Sequence, residues 1–345
     1  MGYWPKPWKG LRSRARRVVR ACRDPAQRLR YRQSVSALTG PGYAGFEGGA
    51  FNPGVVTHAD GSCTAVFKGQ DMHWMHALNE APDQFMRGGV MLWQMSSPTA
   101  SPPAPMPIEL LDSPEGCWQS EDFRLFEHQG SIYANHPSSV LSPGRGRIDR
   151  QTLSVLDVDA GTLRRLGEPS VDFSTSHRER NWVYHSDGDT LYLLYSIEPY
   201  RVLVLSDLAN LTFETLHMTP APSALRDPGG SGRMVSFSTN PVGYDDEHLF
   251  LLTHQIQTDR GMRRYQHWGV LIHRRTMRIA ARTSAPLFDG YHARGMLPGV
   301  FYISAVVPTD NDLVFFGGEG DSHISRCIVS RARIDALWQP TTDAA

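Results

Sequence analysis

Two short polar clusters carry the residue types most suited to chemistry. Glu121-Asp122-Phe123-Arg124 sets two carboxylates beside an arginine, and Glu179-Arg180-Asn181-Trp182 sets a carboxylate, an arginine, an amide and an indole in a row. A carboxylic acid near arginines can move a proton at a bridging oxygen while guanidinium forks hold an anion. That combination suits making or breaking a glycosidic bond at a phosphate-type group. Each cluster leads into an apolar run: Gln129-Gly130 then Ser131-Ile132-Tyr133-Ala134, and Asp187-Gly188-Asp189 then Leu191 to Tyr195 and Val202 to Leu205. The runs are of strand length and the glycine-bearing pairs between them are hairpin signals. Unpaired charges at the start of an inner strand are costly to bury, so two such clusters in equivalent places predict one shared site.

The same grammar repeats along the chain. Phe51-Asn52-Pro53-Gly54-Val55-Val56, a turn at Asp60-Gly61, and Cys63 to Phe67 form a first unit. Others run from about Trp118 to Leu166, from Glu179 to about Leu216, from near Gly229 through Phe250–His254 and Trp268–Ile272, and from Phe301 to Val329. Residues 51, 121, 180, 232 and 303 fall about 50 to 70 apart, which suits four-stranded modules that cannot bury their faces alone. Five such modules predict an all-β fold, a five-bladed β-propeller over residues 41–340, with a double β-sandwich as the competitor. Residues 96–107, rich in Ser and Pro, read as a loop between modules, and Asp71 to Asn79 as a short helix or an extended excursion.

Ahead of these modules lies a basic arm, residues 1–40. Residues 11–36 read as helix, with Pro25 splitting it, before Thr39-Gly40-Pro41-Gly42. Residues 1–33 hold eleven Lys/Arg and one acid, a net of +10, so the remaining chain carries −10 within an overall charge of zero. With Tyr3, Trp4 and Trp8, this arm suits an anionic membrane surface, and a partner-covered terminal helix is the plainer reading. No nucleic-acid recognition fold stands behind it. No apolar run approaches the roughly 20 residues of a membrane span. The four cysteines are scattered without a CxxC pair, and no secretory leader is visible. The expected location is the cytoplasm, at the inner face of the membrane where the arm engages it.

In a propeller the starts of the inner strands face one another around a funnel. Asn52, Asp122, Arg124, Glu179, Arg180, Asn181, Arg233, His254, His267, Glu319 and Asp321 all fall at or near such places. The competing reading of each charge is a buried ion pair that ties blades together. Trp182 and Trp118, beside the charged motifs, could stack on a sugar face. His73 and His76 have metal-ligand spacing only if helical, and no third ligand accompanies them.

Asn52-Pro53-Gly54, Glu121-Asp122-x-Arg124, Glu179-Arg180-Asn181-Trp182, Gly229-Gly230 with Arg233, and Gly317-Gly318-Glu319-Gly320-Asp321 occur in the order seen in one known group. They resemble the five-bladed propeller enzymes of the β-mannoside phosphorylases (glycoside hydrolase family 130) and the related β-1,2-mannosyltransferases, over about residues 50 to 335. The resemblance implies that Asp122 is the general acid and that Arg124, Arg180 and His254 bind phosphate. Arg233 joins them on the donor side. It implies sugar contact by Asp321, with Asn52, Glu179, Asn181, Trp182, His267 and Glu319 around it. Phe123 stands where the phosphorylases usually have proline, and Glu-Arg-Asn-Trp where they have a Lys-Asp type motif. These departures turn the expectation toward transfer to a hydroxyl acceptor.

The reading is therefore an inverting glycosyltransferase that moves a β-mannosyl or similar unit. The donor is a nucleotide sugar or a sugar 1-phosphate, and the acceptor is a glycan or a lipid-linked sugar. The arginines supply the positive charge, so no metal or other cofactor is called for. A β-mannoside phosphorylase or hydrolase and a non-catalytic glycan-binding propeller are the alternatives.

Overall fold

The computed structural model describes residues 34–71, 88–113, 117–142, 146–176, 179–226, 235–259, 262–295, 297 and 299–341. These form a five-bladed β-propeller. Strand β1 (Val35–Ala37) comes first. Blade one holds β2 (Gly49–Thr57), β3 (Cys63–Gln70), β4 (Val90–Met95) and β5 (Met106–Leu111). Blade two holds β6 (Cys117–Ser120), β7 (Arg124–His128), β8 (Ser131–Ser142), β9 (Gly146–Asp157) and β10 (Thr162–Gly167). Blade three follows with β11 (Ser170–Val171), β12 (Val183–Asp187), β13 (Thr190–Ile197), β14 (Tyr200–Asp207) and β15 (Thr212–Thr219). Blade four has β16 (Val235–Phe237), β17 (Val242–Gly243), β18 (His248–Asp259), β19 (Met262–His273), β20 (Ile279–Thr283) and β21 (Phe288–Asp289). Blade five has β22 (Phe301–Pro308), β23 (Asp312–Glu319) and β24 (His323–Ser330), and β25 (Trp338–Pro340) ends the series.

The hairpin signals act as expected. Gln129 and Gly130 both take positive φ between β7 and β8, and Gly188 does so between β12 and β13. Within each blade neighbouring strands are antiparallel, except that β11 of blade three runs parallel to β15. Blades one and two also touch at their outer edges, where β10 runs parallel to β5 (Thr162 opposite Glu109), fusing them into one nine-stranded sheet.

The long apolar runs follow from a blade being buried on both faces. In β18, Leu249 and Leu251 pack toward blade three, whereas Phe250 and Leu252 pack toward blade five. In β23, Leu313 and Phe315 face blade four, and Val314 and Phe316 face blade one. Among the described residues the buried apolar side chains fall into five clusters, one at each seam of the ring. Each fully buried Leu, Val or Phe there contributes about 1.5–3 kcal/mol relative to exposure. Burial on both faces, in a closed ring, holds the inner strands in place around the axis.

The chain ends lock that ring. β1 pairs antiparallel with β24 (Val35 opposite Cys327), so blade five takes its outer strand from the N-terminal side. The expected helix over residues 11–36 is thereby corrected at its end, since Val35 and Ser36 are strand. Val35 is buried in the seam between blades four and five, and extended backbone places it there. The rest of the arm, with the helical reading and the proposed membrane face, lies outside the described residues. β25 in turn pairs with β20 of blade four. The loop expected over 96–107 ends two residues early, because Met106 and Pro107 open β5. A proline is tolerated at the start of an outer strand. No helix among the described residues is long and apolar enough to cross a membrane.

Candidate active site

Asn52, Asp122 and Asn181 stand just ahead of, or within, the inner strands of blades one, two and three, all in the left-handed region (φ 50°, 54° and 65°). Asn and Asp tolerate that region best after glycine, which explains why short polar residues occupy all three places. Their side chains meet those of neighbouring blades. Asn52 Nδ2 donates to Asp122 Oδ1 at 2.6 Å. Asn181 Oδ1 accepts from Arg124 Nη2 and from the Tyr302 hydroxyl, each at 3.1 Å. Gly318 in β23 permits the approach of blade five, because a Cβ there would sit 2.1 Å from Asn52 Oδ1.

Arg180 is the hub of the charges. Its Nη1 lies 3.5 Å from Asp122 Oδ2, its Nη2 3.4 Å from Glu121 Oε1, and its Nε donates to Asp149 Oδ2 at 3.1 Å. Lys68 of β3 adds a second cation 3.9 Å from Glu121 Oε2. Burial opposes the charge on Arg180, but Asp122, Glu121 and Asp149 overcome it and hold its pKa above the ordinary arginine value. Asp122 therefore has one oxygen on an amide and the other on a guanidinium, and its side chain keeps 14% exposure. A fixed and still approachable carboxylate is what proton transfer to a bound hydroxyl requires.

Arg124 has a different setting. It is 1% exposed. Its Nε donates to the Ser238 carbonyl at 3.1 Å, its Nη1 to the Asp122 carbonyl at 3.4 Å, and its Nη2 to Asn181 and to the Tyr302 hydroxyl. One guanidinium thus ties blades two, three, four and five. The two arginines expected to cradle phosphate both carry protein contacts: Arg124 is engaged by protein acceptors, and Arg180 by three carboxylates. His254 is buried, and burial with Arg124 nearby pushes its pKa down to about 3, so it is neutral at pH 7 and no counter-ion for phosphate. Arg233 lies outside the described residues.

Three of the expected sugar contacts are structural instead. Glu179 accepts from the Ser176 amide at 2.6 Å and from Trp182 Nε1 at 3.1 Å. Trp182 is buried in the seam between blades two and three, 5.1 Å from Tyr195. An indole beside charges reads as a stacking platform, but here the neighbouring carboxylate satisfies its N–H inside the core. Glu319 is fully buried, accepting from Ser325 Oγ at 3.0 Å and pairing with Arg294 at 3.4 Å. His267 is a fourth correction. It is fully buried, accepts the Ile303 amide on Nε2 at 3.2 Å, and burial with His254 beside it holds it far below the ordinary imidazole value.

Asp321 is where the remaining charge gathers. It sits in the turn after β23 with φ 51° and keeps partial exposure. Burial, then the carboxylates of Glu121 and Asp122, push its pKa up to about 7, against the pull of Lys68 and Arg263. Tyr265 of β19 is pushed up to about 12 by burial and then by Asp321. The structure thus brings Asn52, Asp122, Arg180 and Asp321 together at one rim, with Arg124 and Asn181 beneath them as a blade-spanning brace. Lys68, Asp149, Tyr265 and Tyr302 belong to the same network and carry no motif. An axial cavity of about 290 Å³ is lined by Arg124 and by residues further along the inner strands, such as Thr57, Ser186 and Gly243. Asp122, Arg180 and Asp321 do not line it, so it is the propeller's channel and lies apart from their rim.

No protein-family profile matches the sequence, and no curated protein does. Solved structures share the fold. The β-1,2-mannobiose phosphorylase from Listeria innocua aligns with a TM-score of 0.61 at 16% identity, over 87% of this chain and 96% of that one. A GDP-Man-dependent mannosyltransferase from Leishmania mexicana aligns at 0.56 and 11% identity, over 82% and 85%. A mannose phosphorylase from the same organism, solved with a phosphate ion, aligns at 0.56 and 10% identity, over 84% and 86%. The likeness at these identities is one of fold, and it agrees with the resemblance drawn from the motifs.

Proposed function

We propose that this chain is a carbohydrate-active enzyme that transfers a glycosyl unit with inversion, β-mannosyl being the leading candidate, from an activated sugar to a hydroxyl acceptor. The observation that carries the reading is Asp122, held between an amide from blade one and a guanidinium from blade three at the rim of this fold. Asp122 takes the proton of the acceptor hydroxyl as that oxygen bonds to the anomeric carbon and the bond to the leaving oxygen breaks on the opposite face. In the reverse direction the same group returns the proton to the glycosidic oxygen. General acid–base help of this kind contributes about 10²–10⁴ in rate.

Transfer to a hydroxyl is favoured over phosphorolysis because Arg124 and Arg180 are committed to protein acceptors. A free phosphate would have to displace three carboxylates from Arg180. Where the acceptor is lipid-linked, the eleven basic residues of positions 1–33 supply attraction to an anionic surface. The test is a donor screen with GDP-mannose, mannose 1-phosphate and β-1,2-mannobiose with phosphate, following release of nucleotide, phosphate or mannose 1-phosphate. Nucleotide release with a mannobiose acceptor supports the reading. Phosphate-dependent cleavage of mannobiose as the sole activity would replace it with phosphorolysis.

A further inference from the structure

Tyr302 belongs to no motif, yet the brace beneath the rim closes on it. Its hydroxyl accepts from Arg124 Nη2 and donates to Asn181 Oδ1 at 3.1 Å, and Arg124 Nη2 also donates to Asn181 Oδ1 at 3.1 Å. The polarity of this three-membered ring is fixed, because a guanidinium only donates and the Asn181 oxygen must therefore face it. Burial raises the Tyr302 phenol above its ordinary value, so it keeps its proton near neutral pH. Blade five holds the side chain firmly. Tyr302 is 6% exposed, and its ring lies 5.2 Å from His254, 6.1 Å from Tyr265 and 6.4 Å from His267. The next residue, Ile303, is pinned by blade four at both backbone groups. Its amide donates to His267 Nε2 at 3.2 Å, and its carbonyl accepts from Ser238 Oγ at 2.5 Å.

We infer that Tyr302 is a positioning residue of this site: its hydroxyl locks Arg124 to Asn181 and thereby sets how the Asp122 carboxylate meets Arg180 and the acceptor hydroxyl. The inference rests on the glycosyl-transfer reading above. Each group that the hydroxyl touches leads to one member of the Asp122–Arg180 pair. Arg124 Nη1 donates to the Asp122 carbonyl at 3.4 Å, and Asn181 directly follows Arg180, whose Nη1 lies 3.5 Å from Asp122 Oδ2. Asp122 and Asn181 both hold left-handed backbone (φ 54° and 65°), which a residue other than glycine keeps where its surroundings impose it. Without the hydroxyl, Arg124 and Asn181 still bond to each other, so no buried group is stranded. The third side of the ring is lost, and the two left-handed turns can then shift independently. A misplacement of about 1 Å in a reacting group costs on the order of 100-fold in rate.

Tyr302→Phe keeps the wedged ring and removes only the hydroxyl. On the donor that the screen identifies, it should lower kcat about 10- to 100-fold with KM within about 3-fold of wild type. Its unfolding temperature should stay close to that of wild type. Asn181→Ala shows whether the effect runs through the ring, since adding Tyr302→Phe to it should cost under about 3-fold more. Full additivity of the two losses, an unchanged kcat, or a raised KM alone overturns the inference. A second readout needs no turnover. The Asn181 side-chain amide, assigned by its absence from the nitrogen–proton spectrum of Asn181→Ala, should move in Tyr302→Phe; an amide signal that stays in place overturns the inference. A wild type silent on every donor screened contradicts the transfer reading itself. A displaced amide signal in that case would show a structural hydroxyl with no part in catalysis.

Discussion

Asn52 of blade one donates its side-chain amide to Asp122 of blade two at 2.6 Å, and both residues hold left-handed backbone. The bond spans a seam between blades, so the orientation of the Asp122 carboxylate depends on how two separate sheets pack. Gly318 of blade five completes the contact by leaving room for the amide.

Asn52→Gly keeps the backbone conformation and removes only the amide. It should lower kcat by about 10- to 100-fold, with a small change in KM, because it releases one oxygen of Asp122 without touching substrate. Steady-state kinetics on whichever donor the screen identifies check this. An unchanged kcat would show that Arg180 alone suffices to hold the carboxylate.

Arg180→Gln leaves Glu121, Asp122 and Asp149 facing one another with Lys68 as their nearest cation. The arginine side chain is 34% exposed, so the cost at pH 8 should be discounted to roughly 1–3 kcal/mol. Protonating the freed carboxyls relieves the repulsion, so the deficit against wild type should shrink as the pH is lowered toward 5. Urea unfolding at the two pH values measures it, and a deficit that grows toward pH 5 would be the wrong sign.

Arg124→Met should act on stability more than on anion affinity. Its guanidinium is buried and bonded to Ser238, Asn181 and Tyr302, so removal strands several acceptors and should cost about 3 kcal/mol or more. Thermal unfolding and phosphate titration by calorimetry separate the roles. A stable variant that has lost phosphate binding would restore Arg124 as an anion ligand.

Asp321 gives a pH signature whose sign is fixed. Its folded-state pKa of about 7 lies above the ordinary carboxyl value of 3.8, so the folded state holds the proton more tightly than the unfolded chain. Its contribution is neutral to stability below the lower value, then increasingly unfavourable as the pH rises toward 7, and constant above. Asp321→Asn removes that penalty. The variant should gain on the order of 1–2 kcal/mol over wild type at pH 8, after allowing for solvent screening, and nothing at pH 4. Chemical denaturation across that range decides it, and a variant equally affected at both ends would contradict the charge argument.

Much of this was legible in the sequence. Apolar runs such as Phe250 to Leu252 and Leu313 to Phe316, spaced by glycine turns, announce strands buried on both faces, and their repeat announces five blades. Asp122 and Arg180 stood out because charge before an inner strand is costly. What sequence could not separate was a charge that faces the rim from one that holds the seam. Arg124 and Glu179 have the same local context as Asp122 and Arg180, and only the positions of Ser238, Tyr302 and Trp182, far off or hidden in apolar runs, decide their direction. Asp149 and Lys68 escaped for the opposite reason, since each sits mid-strand where alternation makes a polar residue unremarkable. Residues 35 and 36 read as helix because the choice of strand was made by β24, nearly three hundred residues away.

The central claim is that Asp122 handles the proton, and one comparison tests it most directly. Wild type and Asp122→Asn should be assayed side by side in the donor screen, with thermal unfolding of both. Asparagine keeps the left-handed turn and the size of the side chain but cannot take up or release the proton. The account predicts a rate lower by about 10²–10⁴ with an unfolding temperature close to that of wild type. Full activity in a folded Asp122→Asn variant would contradict it.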